Sequence, residues 1–325
     1  MAAITDLRCW VVSDGTPGME NQAVGLAEAI GFVPEIKRIR CRFPWSVLPP
    51  LLWIAPLSAL REDGDALAPP WPDVVIATGR PSVAPALAIK RRSKGRTFAI
   101  QIQNPGLCRR YFDAVVTPLH DRLAGPNVIT TRGSLHGITK ARLAEAAKRF
   151  APKLAHLKRP LVAVLVGGDN KVFRLTPALT RQFCDKLKTL VDRYGAGLAV
   201  TPSRRTGAEN EAVLREALGP MGAEIWDGSG ENPYLGYLAL ADAVVATGDS
   251  VNMVCEACAT GKPVYVFDLE GGSAKFRRFH ELLRAEGVTR PFDGTLASWS
   301  YAPLDDTQQV AGEIRAKLAA WRAGR

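Results

Sequence analysis

The stretch that decides the predicted fold is ADAVVATGDSVNMVCEACATGKPVYVFDLEG, residues 241–271. Its apolar runs at residues 243–246 and 264–267 are typical of buried strands, and the apolar spacing over residues 251–260 indicates a helix between them. A strand, a helix and a second strand in this order predict a βαβ unit, whose two strands lie parallel in one sheet.

The same alternation extends over the whole chain. Strands are predicted at residues 7–13, 73–78, 97–103, 113–117, 128–131, 161–166, 198–201, 224–226, 243–246 and 264–267. Helices are predicted at residues 21–30, 81–92, 140–150, 177–194, 209–218, 251–260 and 307–322. Short strands that alternate with longer helices favour an α/β fold of two Rossmann-like domains, whose parallel sheets face a cleft.

The length of 325 residues exceeds what one hydrophobic core usually serves, so we expect more than one domain. Residues 152–160 contain two prolines and two lysines and are predicted to be an interdomain linker. The sequence therefore predicts an N-terminal domain over residues 1–152, a C-terminal domain over residues 160–304 and a terminal helix over residues 305–325.

The composition is 47% apolar and 23% charged, which excludes collagen-like, disordered and coiled-coil proteins. The net charge of +10 favours an anionic partner such as a nucleotide phosphate or an acidic lipid, with a merely basic surface as the alternative. No nucleic-acid recognition motif accompanies the charge, so nucleic acid is not expected as a partner. The pair Cys255 and Cys258 has no second pair and no nearby His, so helix packing is favoured over zinc.

Four loops that follow predicted strands contain the candidate ligand-binding residues, because open parallel sheets bind ligands beyond the carboxyl ends of their strands. In chain order they are residues 13–22, 166–171, 201–207 and 247–257. The first loop matches neither the P-loop nor G-x-G-x-x-G, and a tight turn is the alternative to ligand binding. The paired arginines of the third loop suit a diphosphate, with a solvated basic turn as the alternative. The candidate residues are Gly15, Gly18, Gly167, Gly168, Asp169, Ser203, Arg204, Arg205, Thr206, Gly248, Ser250, Asn252, Met253 and Glu256.

Residues 241–271 resemble the donor-binding segment of the peptidoglycan N-acetylglucosaminyltransferase group, and the two-domain arrangement resembles the GT-B glycosyltransferase fold. In that group, a Gly/Ser-rich helix start holds the diphosphate and a helical Glu holds the ribose. The resemblance implies that Ser250, Asn252 and Met253 lie near the phosphates and that Glu256 binds the ribose. Asp249 departs from the pattern, because its negative charge beside a diphosphate needs either a compensating Arg or a different role.

A second resemblance covers nearly the whole chain. It is carried by the segments DGTPGMENQAVGLAEAIG (14–31), FDAVVTPLHDRLAGPNVITTRGSLHGIT (112–139), VGGDNKVF (166–173) and TPSRRTG (201–207). They are similar to the mitochondrial-fission Elm family, which has bacterial members and a plant factor implicated in mitochondrial division. Because bacteria lack mitochondria, an ancestral glycosyltransferase-like activity is the more economical expectation for a bacterial member.

An inverting glycosyl transfer needs a general base for the acceptor hydroxyl and positive groups for the departing diphosphate. The candidate bases are Asp14 and Glu20 in the first loop and His120 after a later strand, where a structural role for His120 is the alternative. No D-x-D pair follows a strand, and Arg204 and Arg205 can neutralise the diphosphate. We therefore predict a metal-independent transferase that uses a nucleotide sugar and needs no cofactor.

The stretch from Phe43 to Leu60 contains no charged residue, and basic residues lie directly upstream from Lys37 onward. Its four prolines would break a spanning helix, so Lys37 to Leu60 is predicted to contact an anionic membrane surface, with a buried core segment as the alternative. No leader pattern begins the chain. We expect a cytoplasmic protein, peripheral on the inner membrane face, that glycosylates a lipid-linked acceptor. The competing hypothesis is a non-catalytic scaffold that binds a membrane or a protein.

Overall fold

The structure is a computed structural model that describes residues 4–324. It divides into two compact units, one containing the described residues up to 137 and from 305 onward, and the other containing residues 138–304. The prediction that the chain begins without a leader pattern includes residues 1–3, which lie outside the described residues.

The first unit is built on a six-stranded parallel sheet. Its strands are β1 Cys9–Ser13, β2 Glu35–Arg38, β3 Val74–Thr78, β4 Phe98–Ile102, β5 Ala114–Pro118 and β6 Val128–Thr131. Its helices are α1 Pro17–Ile30, α2 Val83–Arg92 and, from the end of the chain, α9 Asp306–Ala323. The strand order is β2-β1-β3-β4-β5-β6, with α1 and α9 packed on one face and α2 on the other.

The second unit repeats this plan with a second six-stranded parallel sheet. Its strands are β7 Leu161–Val166, β8 Phe173–Arg174, β9 Gly197–Pro202, β10 Glu224–Ile225, β11 Ala243–Thr247, β12 Val264–Phe267, β13 Glu270–Gly271 and β14 Thr289–Pro291. Its helices are α3 Lys140–Leu154, α4 Pro177–Tyr194, α5 Ala208–Leu218, α6 Tyr234–Leu240, α7 Val251–Cys258 and α8 Ala274–Ala285. The sheet order is β10-β9-β7-β11-β12-β14, and β8 pairs with β13 in a separate antiparallel ribbon.

The central strands are apolar throughout because both faces of each sheet are covered. All six side chains of β7 are buried. Val162 and Val164 pack in the core that includes α4 and α5, whereas Leu161 and Leu165 pack in the core that includes α6, α7 and α8. Successive side chains of a strand point to opposite faces, so one continuous apolar run supplies two cores.

The two units differ in extent from the predicted domains of residues 1–152, 160–304 and 305–325. Helix α3, which the prediction assigns to the first domain, packs against α6 of the second unit, where Gly236 lies against the ring of Phe150. Helix α9 packs on α1, and the Asp306 carboxylate accepts the backbone N–H of Arg132 and Gly133. The proline-containing stretch at 152–160 is therefore no interdomain linker, since both its ends lie in the second unit.

The apolar stretch from Phe43 to Leu60 forms turns and one short 3₁₀ helix. Trp53 is only 7% exposed, packs on Trp45 and belongs to a small core. Other side chains of the same stretch point to solvent, with Phe43 82% and Ile54 87% exposed. The stretch therefore contains a buried anchor and an exposed apolar surface together. Among residues 4–324, no helix has the length and apolar character that crossing a membrane requires.

Candidate functional site

Three of the predicted loops meet at the carboxyl edge of the second sheet. Strand β7 lies between β9 and β11 in the sheet, so the residues that follow these three strands are neighbours. This is the edge at which parallel α/β sheets bind ligands. We define the candidate site as residues 167–170, 203–207 and 248–256.

The carboxylate of Asp249 joins the three loops. Its side chain is fully buried, and it accepts hydrogen bonds from the backbone N–H of Gly168 (3.1 Å) and the hydroxyl of Thr247 (2.6 Å). The guanidinium of Arg205 lies 2.8 Å from the same carboxylate. Arg205 is thus the compensating cation that a negative charge at position 249 requires, because a buried carboxylate is stable only when it is paired and hydrogen-bonded.

Two glycines let the loops approach this closely. A Cβ on Gly167 would lie 2.2 Å from both carboxylate oxygens of Asp249, and a Cβ on Gly168 would lie 2.0 Å from the backbone oxygen of Arg205. Gly168 also has φ +154°, which side-chain-bearing residues rarely adopt. Both glycine N–H groups are used inside the protein, since Gly167 donates to the Thr247 hydroxyl at 2.8 Å. The two glycines therefore hold the loops together rather than offering donors to a ligand.

The hydroxyl side chains of the β9 loop are also used internally. The Thr206 hydroxyl shares its proton between the backbone oxygens of Gly167 (2.6 Å) and Val166 (3.0 Å), and Ser203 donates to that of Gly167 (3.1 Å). Asp169 accepts the backbone N–H of Leu175 at 2.8 Å. Ser203, Thr206 and Asp169, which the sequence predicts to bind a ligand, therefore stabilise the loops through internal hydrogen bonds.

A second group of predicted residues consists of Arg204 on the loop after β9 and the residues at the start of α7. Arg204 is exposed, and its guanidinium has no hydrogen-bond or ion-pair partner within the described part of the chain. Ser250 begins α7, where its hydroxyl accepts the backbone N–H of Met253 at 3.3 Å. Asn252 lies in the same first turn. A helix N-terminus and an exposed guanidinium on loops at the same edge of the sheet both favour an anion.

Glu256 lies in the second turn of α7, and it is half-buried. The hydroxyl of Tyr234, the first residue of α6, donates to its Oε2 at 2.6 Å. Burial raises the pKa of the Glu256 carboxyl, while the Tyr234 hydrogen bond and the charge of Arg142 act in the opposite direction. Its Oε1 accepts no hydrogen bond from residues 4–324, and the residue is only partly buried, so one carboxylate oxygen remains for a ligand hydroxyl.

Gly248 is held from the side of α8. Its backbone oxygen lies 2.8 Å from Nε2 of His280, a residue that is 6% exposed. Burial lowers the pKa of His280, so the neutral ring that donates from Nε2 is the favoured form. The glycine leaves little room for a side chain, because a Cβ would lie 3.2 Å from Val266. Gly248 therefore packs against His280 and Val266, and we assign it a structural role.

The candidate bases and two of the predicted binding residues lie in the first unit, at the carboxyl end of its sheet. The exposed Asp14 carboxylate accepts the backbone N–H of Thr16 at 3.0 Å and makes no ion pair among the described residues. Gly15 follows it with φ +79°, and Gly18 lies in the first turn of α1.

Glu20 is tied up in a bidentate ion pair. Both of its carboxylate oxygens lie 2.8 Å from nitrogens of Arg38, and the Ser13 hydroxyl donates to Oε2 at 3.1 Å. The hydrogen bond from Arg38 lowers the pKa of Glu20. A general base for a sugar hydroxyl benefits from a raised pKa, so these contacts suit a structural role for Glu20.

His120 is 5% exposed on a 3₁₀ turn after β5, with its Nε2 3.9 Å from Asp121. Strand β5 is three positions from β1 in the sheet. At about 4.8 Å per strand, the ends of β1 and β5 are roughly 14 Å apart. Asp14 and His120 are therefore too far apart to act on the same proton.

Thr247 and Tyr234 are not among the candidate site residues predicted from the sequence. Thr247 begins the fourth predicted loop and is the last residue of β11, so a hydroxyl at a strand end could have indicated it. Tyr234 begins a helix that the sequence did not predict, and it carries no such signal. Within residues 4–324, no three His, Cys, Asp or Glu side chains are grouped to hold a metal ion.

Comparison with known structures shows the fold. A UDP-GlcNAc 2-epimerase from Methanocaldococcus jannaschii is similar with a TM-score of 0.56 at 10% identity, covering 95% of this chain and all of that chain. Its fold is of the GT-B group. The predicted α/β, GT-B-like class with parallel sheets is confirmed.

Sequence comparison shows the family. The chain is 36% identical over 276 residues to the mitochondrial fission protein ELM1 of Arabidopsis thaliana, covering 77% of this chain but only 64% of that protein. It is 26% identical to an uncharacterized protein of Rickettsia prowazekii (strain Madrid E), covering 96% of this chain and 99% of that one. The family model for mitochondrial fission ELM1 matches residues 17–318. The chain therefore belongs to the mitochondrial fission ELM1 family.

Proposed function

We propose that the second unit binds a nucleoside-diphosphate sugar at the candidate site and that the protein is a glycosyltransferase. The observation that carries the proposal is the pairing of Arg205 with the buried Asp249. This ion pair neutralises the one negative charge at the helix start, and it leaves the neighbouring Arg204 unpaired. The site is thereby prepared for a diphosphate without a metal ion. The similar epimerase is named for a UDP-sugar substrate, which agrees with this ligand class.

The ligand would use the three features that remain open. The diphosphate takes the first turn of α7 and the guanidinium of Arg204, where the helix dipole and the cation both favour negative charge. The ribose hydroxyls donate to the available carboxylate oxygen of Glu256.

In the transfer step, the acceptor hydroxyl loses its proton to a general base while its oxygen attacks the anomeric carbon. The bond between that carbon and the diphosphate breaks, and the nucleoside diphosphate leaves with the electron pair. Among the acidic candidates of the first unit, Asp14 has an exposed carboxylate that makes no ion pair with the described residues, whereas Glu20 is paired with Arg38.

Titration calorimetry with UDP, GDP, CDP and ADP tests the proposed ligand class. We expect one of them to bind in the micromolar range, and Arg204→Ala to weaken that binding at least tenfold by removing an unpaired phosphate donor. Arg181→Ala, an exposed Arg on α4, is the matched control and should bind as the parent does. Folded parent protein that binds none of the four would refute the nucleotide site.

We also propose that the first unit contacts an anionic membrane surface, where a lipid-linked acceptor would be found. Between residues 43 and 54, the exposed large apolar side chains are Phe43, Val47, Leu51, Leu52 and Ile54. The half-exposed guanidinium groups of Arg42 and Arg61 flank this stretch, and each pairs with an acidic side chain, Glu62 and Asp63 respectively. Exposed apolar side chains next to cations are a feature of proteins that bind anionic lipid.

Flotation with liposomes tests this surface. We expect binding to vesicles that contain phosphatidylglycerol and at least a tenfold loss in Ile54→Glu, since burying an Ile contributes about 2 kcal/mol. Val33→Glu is the matched control, because Val33 is 95% exposed but lies outside the stretch. Trp53 is unsuitable for this test, since its ring fills a core. Equal flotation of all three proteins would contradict the proposed surface.

A further inference from the structure

The hydroxyl of Tyr234 is placed to control how Glu256 meets a ligand. It donates to Oε2 at 2.6 Å, while Oε1 has no hydrogen-bond partner among the described residues of this partly buried side chain. A carboxylate that is held through one oxygen cannot rotate freely about its last bond. The other oxygen therefore has a fixed direction in which it can accept a hydrogen bond.

The backbone that carries Tyr234 is itself fixed. The backbone N–H of Tyr234 donates to the side-chain oxygen of Asn232 at 2.9 Å, which sets the start of α6. Two residues on, Gly236 packs so closely on α3 that a Cβ would lie 2.5 Å from the ring of Phe150. The phenol thus rests on a helix that cannot shift toward α3, so its hydroxyl is a rigid donor.

We propose that Tyr234 is a positioning residue that directs Glu256 onto a vicinal pair of ligand hydroxyls, and that it makes the site selective for ribonucleotides over 2′-deoxyribonucleotides. The inference rests on the proposed nucleotide site. A carboxylate oxygen with a fixed direction contributes most to binding when two adjacent hydroxyls donate to it. Removal of one hydroxyl leaves this acceptor with a single donor. A freely rotating carboxylate would adjust to the remaining hydroxyl and discriminate less.

The arrangement also has a pH signature. An ionised Glu256 accepts hydrogen bonds from two hydroxyls more strongly than a protonated one, so binding weakens as the pH falls through the pKa of its carboxyl. The Tyr234 hydrogen bond lowers that pKa. Its removal raises the pKa, and the acid loss of binding then begins at a higher pH.

The test compares the nucleoside diphosphate that binds best with its 2′-deoxy analogue, by calorimetry between pH 5 and 8. For the parent we expect about tenfold weaker binding of the deoxy form. In Tyr234→Phe, we expect the ribonucleotide to bind about tenfold more weakly, the deoxy form to change less than about threefold, and the acid loss to move to higher pH. Tyr237→Phe, on the same helix but in the core, is the control and should keep the parent's selectivity and pH profile.

The outcomes separate the two proposals. If the parent binds a nucleotide but Tyr234→Phe keeps its selectivity and pH profile, the positioning role is refuted while the nucleotide site stands. If Tyr234→Phe weakens both nucleotides equally, the residue has only a structural role. If the folded parent binds no nucleotide, both the site and the role of Tyr234 are refuted.

Discussion

Gly168→Ala should destabilise the second unit by about 4 kcal/mol and abolish nucleotide binding. The new methyl group would lie 2.0 Å from the backbone oxygen of Arg205, and backbone atoms cannot move aside as a flexible side chain can. Overpacking of this kind costs about 1–3 kcal/mol, and the strained φ of +154° adds about 1–3 kcal/mol. The loops after β7 and β9 must separate, which also breaks the hydrogen bond from the Gly168 N–H to Asp249.

Gly195→Ala is the matched control. Gly195 also has a positive φ, +63°, but a Cβ there meets no atom within 4 Å. It should lose only the cost of left-handed backbone, about 1–2 kcal/mol, and keep nucleotide binding. Urea unfolding followed by circular dichroism measures both variants. Similar losses for the two variants would show that backbone strain, and not the close approach of the loops, explains the effect.

The sequence predicted the central strands well because they are buried on both faces. Short apolar runs alternate with helical patterns along this chain. In that setting, a continuous apolar run such as residues 161–166 indicates a strand that is buried on both faces. Strand β2 was not predicted, because its residues EIKR are largely charged. It is an edge strand whose one neighbour in the sheet is β1. The assignment of α3 to the first domain failed for another reason: an amphipathic pattern shows that a helix buries one face, but not which sheet it covers.

The sequence also predicted which loops form the candidate site, but not which of their polar groups remain available. Two glycines after a strand predict backbone N–H groups that donate to a phosphate. In the structure, however, the N–H of Gly167 donates to the Thr247 hydroxyl and that of Gly168 to the Asp249 carboxylate. Such internal pairing depends on distances between residues about 80 positions apart in the chain. The spacing of residues within one loop does not reveal such pairing.

From the sequence, Arg205 is predicted to bind the phosphates. In the structure, its guanidinium pairs with Asp249, whose side chain is fully buried. Arg205→Ala should therefore cost about 3 kcal/mol, because it leaves a buried carboxylate without its cation. Nucleotide binding should fall more than tenfold, since the uncompensated charge repels the diphosphate.

A second substitution separates this role from direct phosphate binding. Asp249→Asn removes the charge that Arg205 neutralises, and the amide oxygen still accepts the N–H of Gly168. The double variant Arg205→Ala/Asp249→Asn should recover at least half of the lost stability and bind the nucleotide within about threefold of the parent. Urea unfolding and calorimetry on the parent, both single variants and the double variant give the full cycle. Stability that returns without nucleotide binding would mean that Arg205 contacts the phosphates itself, as the sequence analysis predicted, and not only through Asp249.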